Sequence, residues 1–178
     1  MKIHRIVNPI AYENTYLLEN ENDLLVVDPG SAWENIRNRI DQLAKPIVAI
    51  LLTHTHYDHI MSLEKVRETY GHPPVYVDAH EAVWLQSPVD NLSGLDRHSD
   101  LTDVVCQPAE EHFEYRTNYH LKNFHFYVLH TPGHSIGGVS FVFPDDHLVL
   151  TGAALFRETI GRTDLPTGSG PQLLESIE

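Results

Sequence analysis

Three imidazoles and one carboxylate lie within six residues of this sequence, at His54, His56, Asp58 and His59. They follow an apolar run, residues 47–52, that predicts a buried strand, and they precede a predicted helix. His54 and His56 project to the same side of a strand end, and the other two can turn towards the same point. Zinc prefers neutral imidazole and carboxylate ligands, and imidazole also suits iron. The spacing and the context favour a metal site over a polar loop of solvated histidines.

A second histidine motif occurs at residues 129–135, which read Leu-His-Thr-Pro-Gly-His-Ser after another apolar strand. Pro132 and Gly133 predict a tight turn that points His134 back over the strand ends. A Pro-Gly-His turn alone is a weak signal, and it gains weight because the first cluster needs a further ligand. His130 lies one step inside the strand, and we expect it to pack or to support the ligands.

Short strands alternate with helices along most of the chain, which predicts an α/β layered fold. Strands are predicted over residues 3–7, 15–18, 24–27, 47–52, 75–77, 124–129, 139–143 and 148–150. Helices are predicted after a capping-box pattern at residues 31–34, over residues 60–70 and over residues 79–86. The polar stretch 87–123 predicts loops with some local structure. Residues 1–178 form one predicted domain, and the helix-like start at residues 171–178 suggests a chain truncated at its C-terminus.

Composition narrows the function classes. The chain has 12 Lys and Arg against 25 Asp and Glu, a formal net charge of −13, so binding to nucleic acid is not expected. No apolar run reaches the length of a membrane span, and the N-terminus lacks the long apolar core of a secretory signal. The one cysteine, Cys106, cannot form an internal disulfide. We therefore expect a cytoplasmic protein without a membrane partner, and the sequence leaves its oligomeric state open.

Several motifs together resemble the metallo-β-lactamase superfamily. Residues 53–59 match its HxHxDH motif, residues 131–134 match its third-ligand turn, and residues 28–30, Asp-Pro-Gly, match an early strand end that supports the site. Residues 91–94 and 160–166 look like the hydroxyacylglutathione hydrolase-like branch. The resemblance covers most of the chain and implies the αββα sandwich of that superfamily.

The resemblance also implies a ligand set and a reaction. His54, His56 and His134 would hold one metal ion, and Asp58 and His59 would contribute to a second. Asp58 would also act in catalysis by orienting the nucleophile. The implied cofactor is one or two zinc ions, with iron or manganese as alternatives. The implied activity is the hydrolysis of a small-molecule thioester or ester, as in the glyoxalase system, through a hydroxide that attacks an activated carbonyl.

Two departures from the family pattern count against full activity. Residues 151–156 read Thr-Gly-Ala-Ala-Leu-Phe, so Ala153 stands where the family has an aspartate that bridges the two metals. The family also takes a last histidine from a Pro-Gly-His turn near its C-terminus, and this chain ends before one. The second position retains only Asp58 and His59. We therefore expect about one bound ion rather than two, and an impaired enzyme.

Two other functions remain open. An iron-dependent persulfide dioxygenase shares this fold and much of the Gly-Arg-Thr-Asp segment at residues 161–164. It uses two histidines and the aspartate that is Ala153 here, and the following Leu165-Pro166 favours the hydrolase. The chain could also be a metal-binding protein without turnover, which Ala153 favours.

The remaining features have ordinary structural interpretations. Arg162 and Asp164 predict an ion pair that shapes a loop near the site, and Cys106 predicts a small buried residue. Eight scattered histidines are expected to be solvent-facing or packed: His4, His72, His80, His98, His112, His120, His125 and His147.

Overall fold

Two β-sheets face each other in the computed structural model, which describes residues 1–95 and 101–178; the expectation for His98 lies outside these ranges. The first sheet has the order β1-β2-β3-β4-β5-β6, and the second has the order β10-β9-β8-β7. The strands of the first sheet are β1 (Lys2–Val7), β2 (Asn14–Glu19), β3 (Leu24–Val27), β4 (Ile47–Leu51), β5 (Val75–Val77) and β6 (Glu111–His112). Those of the second are β7 (Asn118–Leu121), β8 (Phe124–His130), β9 (Val139–Phe143) and β10 (Leu148–Leu150), and β11 (Leu155–Phe156) pairs with β12 (Thr159–Ile160) in a short hairpin.

The central strands of the first sheet, β3 above all, are buried on both faces. In this sheet, β1, β2 and β3 pair antiparallel, whereas β3, β4, β5 and β6 pair parallel. Every residue of β3 is buried, and the side chains alternate between two apolar clusters. Leu24 and Val26 pack on the helices, while Leu25 and Val27 face the second sheet, as the period of two requires. This two-sided burial explains why the strand reads as a continuous apolar run.

The helices α1 (Trp33–Leu43) and α2 (Leu63–Thr69) cover the outer face of the first sheet, through Ile36, Ile40, Leu63 and Val66. A third helix, α3 (Gly170–Ile177), ends the chain. The other face of the first sheet packs on the second sheet through a core rich in phenylalanine. The predicted αββα sandwich class is therefore confirmed.

Several local predictions need correction. No side-chain capping bond starts α1, because the Ser31 hydroxyl accepts instead from the Ile10 N–H. The helix predicted from residue 60 begins at Leu63, and the segment before it forms a 3₁₀ turn, Tyr57–His59. The helix predicted over residues 79–86 is a 3₁₀ helix, Ala82–Gln86. The polar stretch 87–123, predicted as loops with some local structure, contains the strands β6 and β7.

The fold brings the chemically active segments to one edge of the sandwich. Segments that follow β3, β4, β5 and β8 meet where these strands end, and the Val139 N–H of β9 donates to the Thr53 carbonyl at 2.8 Å. The carboxyl ends of parallel strands are the usual place for a site in an α/β fold. Among the described residues, no helix is long and apolar enough to cross a membrane.

Candidate metal centre

The segment that carries His54 and His56 is fixed by a buried carboxylate at the end of β3. Asp28 accepts the Thr53 backbone N–H at 2.8 Å and the Thr53 hydroxyl at 2.6 Å. Both groups of Thr53 are therefore used to hold the first turn after β4. This is the support that the Asp-Pro-Gly motif led us to expect of residue 28.

The turn that carries His134 is fixed by its neighbours. Gly133 has φ +132°, and a Cβ there would lie 2.4 Å from the backbone of Leu173 in α3, so only glycine fits. The His134 ring donates from Nδ1 to the Arg162 carbonyl at 2.9 Å. The predicted ion pair of Arg162 with Asp164 is present, with two contacts of 2.7 and 2.6 Å. The loop therefore sets the orientation of the His134 ring.

Three imidazole rings converge at the resulting edge. The ring centroids of His54, His56 and His134 lie 4.8 to 4.9 Å apart, and each pair of rings is within about ten degrees of perpendicular, at 84°, 88° and 80°. Each ring offers one nitrogen that could bind a metal ion, and these three nitrogens lie within 4.8 Å of one another. We call this set of three residues the histidine tripod.

The tripod is buried, and its nitrogens are poorly satisfied. Among the described residues, Nε2 of His54 and Nε2 of His56 have no hydrogen-bond partner. His56 Nδ1 lies 3.1 Å from His134 Nε2. Since His134 donates through Nδ1, its Nε2 carries a lone pair when the ring is neutral. Buried polar nitrogens without partners are costly, so this arrangement calls for a cation among the three rings.

The protonation state also suits a metal. Burial lowers the pKa of all three tripod rings, and the neighbouring imidazoles lower those of His54 and His56 further. The rings are therefore neutral at physiological pH, which is the form that binds metal. The donor set fits a divalent ion, and the tripod residues are those that would hold it.

Asp58 and His59 lie beside the tripod in a differently charged cluster. The His59 ring lies 4.1 Å from that of His54, its Nδ1 contacts Asp28 at 2.8 Å, and its Nε2 is 3.4 Å from the half-buried Asp58 carboxylate. Burial alone would lower the pKa of His59, but Asp58, Asp28 and Glu13 outweigh it and raise the pKa to about 10. His59 is therefore a cation here. Asp58 and His59 lie next to the tripod, but they do not add a second set of neutral imidazole ligands.

Glu13 is a residue of this cluster that the sequence did not reveal. Its side chain is buried, accepts the Asn8 amide at 2.6 Å through Oε2, and places Oε1 3.5 Å from His59 Nδ1. Burial raises the pKa of Glu13 to about 9. Asp28, Glu13 and His59 thus form a second group of donor atoms within 4.8 Å of one another. We call these three residues together with Asp58 the His59 cluster.

Ala153 lies beside the tripod. It is buried and lines a cavity of about 10 Å³ together with His54 and His134. That volume is about the space of one water molecule. The methyl group offers no donor atom, so the position from which a carboxylate could approach the tripod contributes no ligand.

Glu81 is another buried acid that sequence reasoning missed. It follows β5 and contacts the segments on both sides of the tripod, through the backbone N–H groups of Thr55 and Gly137, each at 2.8 Å. Glutamate in a short polar segment usually faces solvent, so only its place after a strand end hinted at such a role.

His80, which was expected to be solvent-facing or packed, and His130, which was expected to pack or to support the ligands, form a third group with Asp78. His80 contacts Asp78 at 2.7 Å, and His130 donates to the Ile136 carbonyl at 2.9 Å, which agrees with a packed role. The His80 and His130 rings are parallel within 2°, and His130 also stacks on Tyr115. Lone pairs in parallel rings do not converge, so this group is a ring stack rather than a metal centre.

With the geometry established, the family is clear. The model of the metallo-β-lactamase superfamily matches residues 10–178, and the chain belongs to this superfamily. A probable metallo-hydrolase of Streptococcus pyogenes serotype M6 is 58% identical over 177 residues, which cover 99% of this chain and 76% of that protein. The probable metallo-hydrolase YqgX of Bacillus subtilis is 40% identical, covering 99% of this chain and 82% of that protein. These relatives place the chain among metal-dependent hydrolases in general.

More specific names come from other similar proteins. The hydroxyacylglutathione hydrolase GloC of Haemophilus influenzae is 27% identical over 165 residues, covering 89% of this chain and 74% of that protein. The crystal structure of the BLEG-1 B3 metallo-β-lactamase has a TM-score of 0.91 at 35% identity, covering 99% of this chain and 83% of that one. TTHA1623, crystallised in a di-iron-bound form, has a TM-score of 0.84 at 29% identity, covering 98% of this chain and 83% of that one.

Proposed function

We propose that this chain is a zinc-dependent hydrolase of a small thioester or ester, similar to the hydroxyacylglutathione hydrolases. The observation that carries the proposal is the tripod of His54, His56 and His134, which is buried, neutral and supplied with unpartnered nitrogens. The similarity to GloC supports a thioester as the substrate.

Each residue of the site has a distinct role in this proposal. The tripod residues would hold the ion, which when bound would supply Lewis acidity and make a water molecule easier to deprotonate. Asp58, which is half-buried and next to the tripod, orients the attacking water as a proton acceptor. His59 holds Asp58 through the contact at its Nε2, and Asp28 holds His59 from the other side.

We propose about one tightly bound ion per chain. The second position offers Asp58 and His59, and Ala153 adds no ligand. Three nitrogen ligands suit zinc, while iron is the alternative that the same imidazoles accept. The di-iron form of TTHA1623 makes iron the first competitor to test.

A second candidate is a metal-binding protein without turnover, and the observation that favours it is Ala153 beside His54 and His134. A persulfide dioxygenase is less favoured, because the Leu165-Pro166 that follows residues 161–164 favours the hydrolase. These alternatives differ in the reaction that the metal-bound protein catalyses, so one set of activity assays separates them.

The test begins with elemental analysis of the purified protein after dialysis against metal-free buffer. We expect about one zinc per chain, and cleavage of a hydroxyacylglutathione thioester faster than cleavage of a β-lactam by the same preparation. His134→Ala should lose both the metal and the activity, whereas the exposed His112→Ala should lose neither.

Other outcomes are equally specific. Oxygen uptake with glutathione persulfide that exceeds thioester cleavage would establish the dioxygenase instead. Bound zinc without turnover on any of these substrates would establish the metal-binding protein. Absence of metal after growth in metal-replete medium would refute the centre itself.

A further inference from the structure

Glu81 is fully buried, and the reaction described above gives it no role. Its Oε2 accepts the Thr55 backbone N–H at 2.8 Å and the Thr55 hydroxyl at 3.1 Å. Its Oε1 accepts the Gly137 backbone N–H at 2.8 Å. One carboxylate therefore joins two segments that are 82 residues apart in the chain, as the numbers of Thr55 and Gly137 show.

These two segments carry the tripod. Thr55 lies between His54 and His56, and Gly137 is three residues beyond His134. The contact leaves no room at residue 137, since a Cβ on Gly137 would lie 2.6 Å from Glu81 Cγ. The 3₁₀ helix that follows Glu81 adds Trp84, whose ring stacks on His56 at 5.9 Å.

We propose that Glu81 is a positioning residue that sets the separation of His56 from His134 and thereby the metal affinity of the tripod. The inference rests on the proposed metal centre. Its basis is that both carboxylate oxygens accept a backbone N–H from a tripod segment, one on each side. Because both hydrogen bonds end on one buried carboxyl group, the two segments are held at a fixed distance.

A glutamine cannot take over this role. Each oxygen of Glu81 faces a backbone N–H, so either orientation of an amide would set its NH₂ group against one of these donors. Burial raises the pKa of Glu81, and the donors from Gly137 and Thr55 act in the opposite direction. The isosteric exchange Glu81→Gln therefore tests the two hydrogen bonds with little change in volume.

The experiment measures zinc affinity by competition with a chelator, together with the visible spectrum of the cobalt-substituted protein. We expect Glu81→Gln to bind zinc roughly 10–100-fold more weakly, as is typical when a support of a ligand is lost, and to change the cobalt spectrum. The control is Arg67→Met. It removes a buried side chain that is remote from the tripod and donates hydrogen bonds to the Gln107 and Pro108 carbonyls. It should lower the melting temperature without a change in affinity or spectrum.

A second variant approaches the contact from the other side. Gly137→Ala should push the Glu81 side chain away and weaken zinc binding in the same direction, even if Glu81→Gln fails to fold. If both variants lower the melting temperature while affinity and spectrum match the wild type, the positioning role is refuted and the metal centre stands. If the wild type binds neither zinc nor cobalt, the metal centre and the positioning role fall together.

Discussion

The histidine tripod and the His59 cluster share one edge of the sandwich and differ in how their buried charges are balanced. In the tripod, three neutral rings leave nitrogens without partners among the described residues. In the His59 cluster, a cationic imidazole already lies among the carboxyl groups of Asp28, Asp58 and Glu13, the last of which has a raised pKa. The two regions therefore have opposite requirements for an added cation.

The difference shows how burial selects between a binding site and a structural network. Unpaired buried lone pairs are costly until a cation binds them, so the tripod gains stability from a metal. A cluster that contains its own cation gains less, because an incoming ion must displace a proton and compete with Asp28 for His59. The tripod should therefore bind a metal ion before the His59 cluster does.

The largest expected effect separates the two regions by mutation. His134→Ala removes one tripod ring and should reduce bound zinc from about one ion per chain to nearly none. Asp58→Asn alters the His59 cluster at a half-buried position and should leave zinc at about one ion while abolishing thioester cleavage. Elemental analysis and a thioester assay on both variants give the comparison. Equal loss of metal in the two variants would mean that the regions form one inseparable site.

A second effect concerns the residue that could join the regions. Ala153→Asp places a carboxylate beside His54 and His134, and should raise bound metal above about one ion and increase the thioesterase rate. Without metal, the buried acid should lower the free energy of unfolding by roughly 1–3 kcal/mol. Metal titration and chemical unfolding, each with and without zinc, measure both effects.

Ala153→Asn is the matched control for this exchange, since it has the same size and no charge. It should destabilise the protein without the gain in metal or rate. If the aspartate variant behaves like the asparagine variant, residue 153 does not approach both metal positions, and the alignment of residues 151–156 with the family is wrong.

The parts of this centre that the sequence predicted are those with local signals. The apolar run before His54 and the Pro-Gly turn before His134 both depend on short stretches of chain, and the structure brings these residues together. The sequence could not show that the His59 ring is surrounded by three acidic side chains. Asp28 and Glu13 come from other parts of the chain, and only the folded sheet places them there.

In the fold as well, the elements with local sequence signals were predicted, and those that depend on distant partners were not. Strand β3, which is buried on both faces, has the predicted bounds because its apolar run is continuous. The strands β6 and β7 were missed because most of their residues are exposed and polar, so pairing with β5 and β8 decides their structure. Glu81 was missed for the related reason that a buried acid is recognised only by its partners.

The smallest expected effect provides a reference away from both regions. Glu19 is the last residue of β2, and Thr15 is near the other end of that strand. Glu19 contacts Lys45 at 2.8 Å and His4 at 2.9 Å. The hydrogen bonds from Lys45 and His4 lower the pKa of Glu19 to about 2, from 4.5. Above pH 4.5 the folded and unfolded chains both carry this carboxylate ionised, so the contacts contribute their full stability.

Below that point the unfolded chain takes up a proton that folded Glu19 refuses, so the stabilisation falls as the pH drops from 4.5 towards 2. Glu19→Gln lacks this dependence. The difference between wild type and variant in the free energy of unfolding, about 1 kcal/mol or less, should therefore shrink between about pH 6 and about pH 3. Urea unfolding at both pH values measures it. Because Glu19 is remote from the tripod, zinc should leave the difference unchanged at about pH 6, and a dependence on zinc there would mean that the metal acts on the whole first sheet rather than on the tripod.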